Sequence, residues 1–225
     1  MENDIKQIVP IPTVKRFPLY LRILKQKKEK GATNISATTL AQELDLKPIQ
    51  VRKDISCTGI EGKPKVGFVI DELIASITHA LGWDNATDAL IVGAGNLGKA
   101  LAQYGGFESY GLKMVAIFDK DPEKIGKRCG NLTILPLDSI NHYIKSHRIA
   151  IAVVAVPAAN AQAVADLLVK CGIRGIWNFA PKNLKLPPEV VMQRTDLATS
   201  FAVLSVKLRK KYGSFGDSEF DDEDI

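Results

Sequence analysis

The sequence predicts an α/β fold in two parts: an N-terminal winged helix-turn-helix unit, then a doubly wound parallel sheet. After residue 84, short and wholly apolar runs such as residues 149–156 alternate with helical patterns, as in a parallel sheet covered on both faces. The run Ala89-Leu90-Ile91-Val92 enters a turn holding Gly93, Gly95 and Gly98, and a helical pattern follows. Ahead of this, two short helical patterns are joined by a tight turn between Ser36 and Ser56.

The first helix is expected over residues 17–30, with Leu19, Ile23 and Leu24 at helical spacing, Pro18 in the first turn and Gly31 at the end. In SATTLAQELDLKPIQVRKDIS, Leu40, Ala41 and Leu44 share one helix face, Asp45-Leu46 makes the turn, and Val51 and Ile55 face inward from the next helix. Asp45 stands where a turn of this kind more usually has glycine. Gly59, Gly62, Pro64 and Gly67 then punctuate short β-type stretches that fit a hairpin wing. A linking helix over 71–82 completes a first domain, residues 1–84.

The second domain, 85–194, alternates strands at 89–92, 114–118, 149–156 and 175–178 with helices at 97–104 and 158–171. Residues 190–193 add an edge strand. A final helix is expected over 195–211, within a C-terminal segment of residues 195–212. Residues 213–225 form an acidic tail, expected to be a solvated, disordered extension.

The chain has 225 residues, 46% hydrophobic and 24% charged, as in proteins with a real core. No apolar run approaches the roughly 18 residues of a membrane span, and MENDIKQIVPIP lacks the layout of a secretion signal. The expected location is therefore cytoplasmic. Cys57, Cys129 and Cys171 are far apart and read as buried thiols, not as a disulfide framework or a zinc site. Charge is uneven. Residues 1–65 carry 13 Lys/Arg against 7 Asp/Glu, whereas residues 215–225 carry 6 acids and no base. The basic first segment points mildly toward nucleic acid.

In the turn Gly93-Ala94-Gly95-Asn96-Leu97-Gly98 each glycine has a separate task. The first permits the tight turn, the second lets a pyrophosphate approach the backbone, and the third lets the helix pack on the strand. Unpaired N–H groups at the helix start favour phosphate. The second strand ends in Asp119, followed by Lys120, about 20 residues past the last glycine. A carboxylate there accepts hydrogen bonds from ribose hydroxyls and repels a 2′-phosphate, so the expected cofactor of this Rossmann domain is NADH/NAD+ and not the phosphorylated form. Catalysis would need an acid–base group beside the nicotinamide. His79, His142 and His147 all fall on helices, none at the end of a sheet strand, and no separate substrate domain follows. The chain is not expected to be an enzyme.

Lys47, Gln50, Arg52, Lys53 and Ser56 surround the second helix of the helix-turn-helix, and Lys63 and Lys65 mark the wing. Such a helix can enter the major groove of double-stranded DNA, where long side chains reach bases and phosphates. A DNA-reading head joined to a dinucleotide-binding body senses a cofactor in place of consuming it.

From Val14 to Leu208 the chain resembles the Rex family of bacterial redox-sensing transcriptional repressors. The resemblance rests on RFPLYLRIL, QVRKDIS, GxxGxxxVGF, VGAGNLGKAL, YGGF, FDKDPEKIG, AVPAANAQAVADLLVKCGIRGIWNFAP and TDLATSFAVLS. It implies a homodimer that binds an inverted-repeat operator when NADH is low and leaves it when NADH rises. It places Arg52 and Lys53 on DNA, Asp119 on the adenosine ribose, and Gly93, Gly95 and Gly98 on the pyrophosphate. Val156-Pro157 and Asn178-Phe179-Ala180 would line the cofactor site, with Tyr104 and Phe107 near the nicotinamide. The helix from Thr195 would be domain-swapped onto the partner. An allosteric relay of Arg22, Tyr104 and Asp196 is implied as well, with Asp196 pairing to Tyr104 in one state and to Arg22 in the other. The sequence departs from the family at the wing tip, where Pro64 between Lys63 and Lys65 replaces a frequent arginine. Lysines there supply phosphate attraction without the narrow-groove fit of a guanidinium. Two other readings are a small dehydrogenase carrying an incidental N-terminal domain and a DNA-binding protein that ignores cofactor. Turnover tests and NADH-dependent operator affinity separate them.

Overall fold

The structure is a computed structural model that describes residues 9–85 and 87–213. The chain divides into two compact units, Met1–Ala86 and Thr87–Ile225. The acidic tail foreseen from the sequence lies outside the described residues beyond Gly213.

In the first unit, helix α1 runs Ile11–Glu29 and so begins more than a turn before the expected Phe17. Pro12, at the second helical position, takes the starting role, because its missing N–H has no intrahelical partner there anyway. Pro18 lies inside the helix, where it leaves the Val14 carbonyl without its usual donor. Tertiary contacts hold this extra turn: Thr13 is buried and bonded across to Asp54. Leu19 faces outward, and Phe17, Tyr20, Leu21 and Leu24 form the buried stripe.

Strand β1 (Asn34–Ile35) leads into α2 (Ala37–Glu43), whose first turn is capped by the Ser36 hydroxyl accepting from Thr39 N at 3.0 Å. Helix α3 (Pro48–Ser56) follows. Between them Asp45 adopts φ 52°, the left-handed conformation that glycine would otherwise supply. Leu40, Ala41, Val51 and Ile55 are buried against α1 and against Ile70, Leu73 and Ile77 of α4 (Ile70–Ala80). The expected linking helix is thus part of this core.

The wing is smaller than expected. Strand β2 (Phe68–Val69) pairs antiparallel with β1, and residues 57–67 hold only one bridge, Lys63 with Gly67. The tip is a tight turn closed by Val66 N donating to Lys63 O at 3.2 Å. Pro64 fits its second position, while Lys65 takes φ 62° at the third.

The second unit is a seven-stranded sheet in the order β5-β6-β4-β3-β7-β8-β9. Its strands are β3 (Thr87–Val92), β4 (Leu112–Asp119), β5 (Arg128–Cys129), β6 (Leu132–Pro136), β7 (Ile151–Val154), β8 (Gly175–Asn178) and β9 (Val191–Arg194). All pair parallel except β5, which pairs antiparallel with β6 at the edge. Leaving β5 aside, this is the Rossmann strand order, which reverses beside β3 and opens a crevice there. Strands β5 and β6 were not anticipated. At two and five residues, bounded by Gly130 and Pro136, they give too little pattern to read.

Both sheet faces are covered. Leu90, Val92, Phe118, Ala152 and Val154 pack toward α6 (Ile140–His147) and α7 (Ala158–Lys170). The alternate residues Ile91, Ile117 and Val153 pack on the opposite face, with Leu101 and Ala102 of α5 (Asn96–Ala102). Period-two alternation between two buried faces is why these strands are apolar throughout. Helix α8 (Leu197–Tyr212) ends the described chain, and none of its described side chains is buried. Cys129 and Cys171 are buried as expected; Cys57 is only partly so, because it caps α3 and its thiol donates to Lys53 O.

Candidate functional site

Each unit carries one candidate site. In the second unit the glycine turn follows β3, and its geometry separates the three glycines. Gly93 sits at φ 107°, and a Cβ there would strike the Ala155 carbonyl, which lies just past the end of β7. A Cβ on Gly98 would collide with the carbonyl oxygen of Gly93. A Cβ on Gly95 would meet nothing within 4 Å, so that position faces open space. Helix α5 starts here without a side-chain cap, leaving its leading N–H groups available to an anion.

Asp119, the last residue of β4, is 8% exposed. Its Oδ2 accepts from Ala94 N at 2.7 Å and its Oδ1 from Asp121 N at 2.9 Å. Burial alone would push this carboxyl up. The two backbone amides, with Lys124 beside it, outweigh burial and hold it below the ordinary carboxylate range. The group is therefore ionised at neutral pH, and it ties the second strand to the glycine turn.

Gly93, Gly95, Asp119, Lys120, Val156 and Pro157 line one cleft of about 490 Å³ at the carboxyl ends of the strands. The cleft also takes in Asp121, Lys124 and Asn160, none of which was anticipated. Ala94 lies buried beneath it, and Asn96 and Leu97 stand exposed at the start of α5. These residues fit a dinucleotide: open backbone for a pyrophosphate, and an ionised carboxylate at the end of the second strand.

Tyr104 and Phe107 line a different pocket with Gln103, Met114 and Leu132. An aromatic chain nonetheless runs from them to Trp177 and Phe179, which pack on the α5 face of the sheet. Tyr104 to Phe107 is 4.8 Å between ring centres, Phe107 to Trp177 is 5.6 Å, and Trp177 to Phe179 is 4.9 Å. Trp177, missed from the sequence because it sits in an apolar strand, donates its Nε1–H to Thr195 Oγ1 at 2.7 Å. The expectation for Asn178 and Ala180 needs correction. Asn178 is fully buried, and its amide is spent on Lys182 O and Ala180 N, both at 2.9 Å. Ala180 is buried in the core. Both shape the loop after β8, and neither side chain opens into the cleft.

Asp196 caps α8, accepting from Ala198 N at 3.0 Å, and pairs with Arg194 at 2.7 Å. Arg194 was not anticipated, since nothing in the sequence marks an exposed edge-strand arginine. Tyr104 and Arg22 are both exposed on their own units.

In the first unit, Arg52 and Ser56 of α3 share a groove of about 650 Å³ with Lys63, Pro64 and Lys65 of the wing. Lys47 and Lys53 are exposed on the same helix. Gln50 departs from expectation: its amide turns inward and donates to Asp54 Oδ1 at 2.9 Å. Asp54 explains how α3 is held. It is 1% exposed, and its carboxylate also receives Thr13, Arg16 and Tyr20 from α1. Among the described residues no group of three or more His, Cys, Asp or Glu could hold a metal ion, and no helix is long and apolar enough to cross a membrane.

Two family models match the chain, "Putative DNA-binding protein N-terminus" over residues 8–56 and "CoA binding domain" over residues 84–182. A redox-sensing transcriptional repressor Rex from Treponema denticola is 42% identical over 207 residues, covering 92% of this chain and 99% of that protein. The Rex of Carboxydothermus hydrogenoformans is 39% identical, covering 90% and 97%. Among solved structures, the repressor RSP in complex with NAD+ and operator DNA superposes with a TM-score of 0.84 at 32% identity, covering 91% of this chain and 94% of that one. RSP in complex with NADH gives 0.81 at 32% identity, covering 91% and 96%. These relatives are transcriptional repressors and not enzymes, and the chain belongs to the Rex family of redox-sensing transcriptional repressors.

Proposed function

We propose that this protein binds operator DNA through α3 and the wing, binds NADH or NAD+ in the cleft after β3, and leaves DNA when NADH replaces NAD+. The observation that carries the reading is one chain holding both built sites: an ionised strand-end carboxylate tied to an open glycine turn, and a basic helix–wing groove. Gly93, Gly95 and Gly98 with Ala94, Asn96 and Leu97 cradle the pyrophosphate. Asp119, with Lys120 beside it, holds the adenosine ribose, Val156 and Pro157 flank the cofactor, and Phe179 with the Tyr104–Phe107 pair faces the nicotinamide end. Lys47, Arg52, Lys53, Ser56, Lys63 and Lys65 contact DNA.

The working species is a homodimer on an inverted-repeat operator, and it acts in the cytoplasm. Support for the dimer comes from α8, where Phe201, Val203, Leu204 and Val206 are all more than half exposed. Large apolar side chains left exposed around one helix in this way mark a partner surface. Domain swapping of α8 covers it, and a chain ending at Asp196 then sediments as a monomer or aggregates; a clean dimer contradicts the swap.

Oxidised nicotinamide carries a positive charge and the reduced ring does not, so a neighbouring carboxylate can tell them apart. The relay assigns this to Asp196, shared between Tyr104 in one state and Arg22 in the other. Arg194, already bonded to Asp196, is a third competitor for that carboxylate. The direct test of the whole reading is titration of labelled operator DNA at varied NADH/NAD+ ratio. Affinity that falls as NADH rises supports it, and affinity indifferent to the ratio contradicts it.

A further inference from the structure

The strand end that holds Asp119 carries more charge than its single acid implies. Lys120, Asp121 and Lys124 line the same cleft. The ammonium of Lys124 lies 3.4 Å from Asp119 Oδ2 and 3.3 Å from Asp121 Oδ2. The oxygen it approaches is the one that accepts Ala94 N, whereas Oδ1 accepts Asp121 N. Each carboxylate oxygen has about two lone-pair directions, so Ala94 and Lys124 fill those of Oδ2. A ribose diol that donates to both oxygens must therefore take the place of Lys124 on Oδ2. With two acids and two lysines, the charge of this end of the cleft is balanced.

We propose that Lys124 is a specificity-determining residue: a displaceable cation that neutralises Asp119 and limits how strongly the cleft rejects a 2′-phosphate. The proposal rests on reading the cleft as the adenosine-ribose site. Discrimination between NADH and NADPH is then set by the balance of Asp119, Asp121, Lys120 and Lys124, not by Asp119 alone. Without the Lys124 charge, a 2′-phosphate meets a net negative site, whereas the neutral ribose hydroxyls gain an uncovered acceptor. A lysine that merely staples the 119–124 loop would behave differently, because its loss would weaken both cofactors alike.

The test uses the full chain and measures dissociation constants for NADH and NADPH by fluorescence titration in wild type, Lys124→Met, Lys124→Arg, Asp119→Asn and the Asp119→Asn/Lys124→Met pair. A unit charge a few ångström from a phosphate is worth about tenfold in binding in a water-like dielectric. Lys124→Met should therefore raise the NADPH/NADH ratio of dissociation constants about tenfold. Lys124→Arg should keep the wild-type ratio, and added salt should narrow the difference. Asp119→Asn should lower the ratio, and adding Lys124→Met should bring it back toward wild type. An unchanged ratio in Lys124→Met, or equal weakening of both cofactors, overturns the proposal. Should Lys124→Met fail to fold, Lys124→Gln removes the same charge and is read in the same way. Failure of wild type to bind NADH would be a different result, overturning the reading of the cleft itself and the proposal with it.

Discussion

Arg16 grips Asp54 with two prongs, Nε to Oδ2 at 2.6 Å and Nη2 to Oδ1 at 2.7 Å, and so fastens α1 to α3. Tyr20 adds a bond of 2.6 Å and Thr13 one of 2.9 Å to the same buried carboxylate. Burial alone would raise the Asp54 carboxyl. The hydrogen bonds from Arg16, Tyr20, Gln50 and Thr13 outweigh it and hold the group below its ordinary range. Asp54→Ala leaves three donors on α1 without their acceptor and should destabilise the first unit by about 3–5 kcal/mol. Because the folded-state pKa is depressed, the contribution is complete above the unfolded value of about 4 and is lost as pH falls below it toward the folded value. Thermal melts of wild type and variant across pH check this: their gap should close in acid.

The glycine turn predicts two opposite outcomes from one added methyl. Gly98→Ala drives a Cβ into the Gly93 carbonyl and should cost about 1–3 kcal/mol of stability, as overpacking does. Gly95→Ala meets nothing in the protein and should leave the melting temperature close to wild type. It should nonetheless weaken NADH if the pyrophosphate lies on this turn, because the new methyl would occupy its space. Melting curves and NADH titrations on both variants separate the two effects.

On the DNA side, Arg52→Ala should cost roughly 1–3 kcal/mol of operator affinity if the guanidinium reads a base. Lys63→Ala or Lys65→Ala should each flatten the salt dependence of binding by about one unit if the ammonium meets a phosphate. Gln50→Ala should act mainly on stability, since its amide serves Asp54. Salt-dependent operator titrations of the four variants, paired with melts, test this division of labour.

Asp196 accepts from Ala198 N and pairs with Arg194. Asp196→Ala removes the α8 cap and the Arg194 pair, yet leaves the cleft intact, so NADH binding should stay near wild type. The effect of saturating NADH on operator affinity should shrink in this variant and in Tyr104→Phe. A wild-type-sized response in both removes the relay.

Much of this was legible because the sequence used strong local signals. The three glycines act through backbone geometry, which the spacing alone encodes, and alternation between two buried faces made β3, β4 and β7 plainly apolar. Asp45 could be placed in the turn because helix–turn–helix spacing leaves it no alternative. What stayed hidden was set by tertiary contact. The start of α1 depends on Thr13 finding Asp54, and Asp54 itself reads as one more charge on an exposed helix until α1 is laid against it. Gln50 turned inward for the same reason. Lys124 looks like a solvated loop lysine in FDKDPEK, and only the fold brings it back onto Asp119. Asn178, placed beside the cofactor by the family resemblance, spends its side chain closing its own loop, a contact only the fold reveals.

Coupling between cofactor and DNA must be reciprocal in binding free energy. The measurement is the dissociation constant for NADH with the protein free and with the protein saturated by operator DNA. NADH should bind more weakly on DNA, by the same factor by which NADH weakens the operator, about 5- to 150-fold for ordinary allosteric coupling. An NADH affinity identical with and without operator would contradict it.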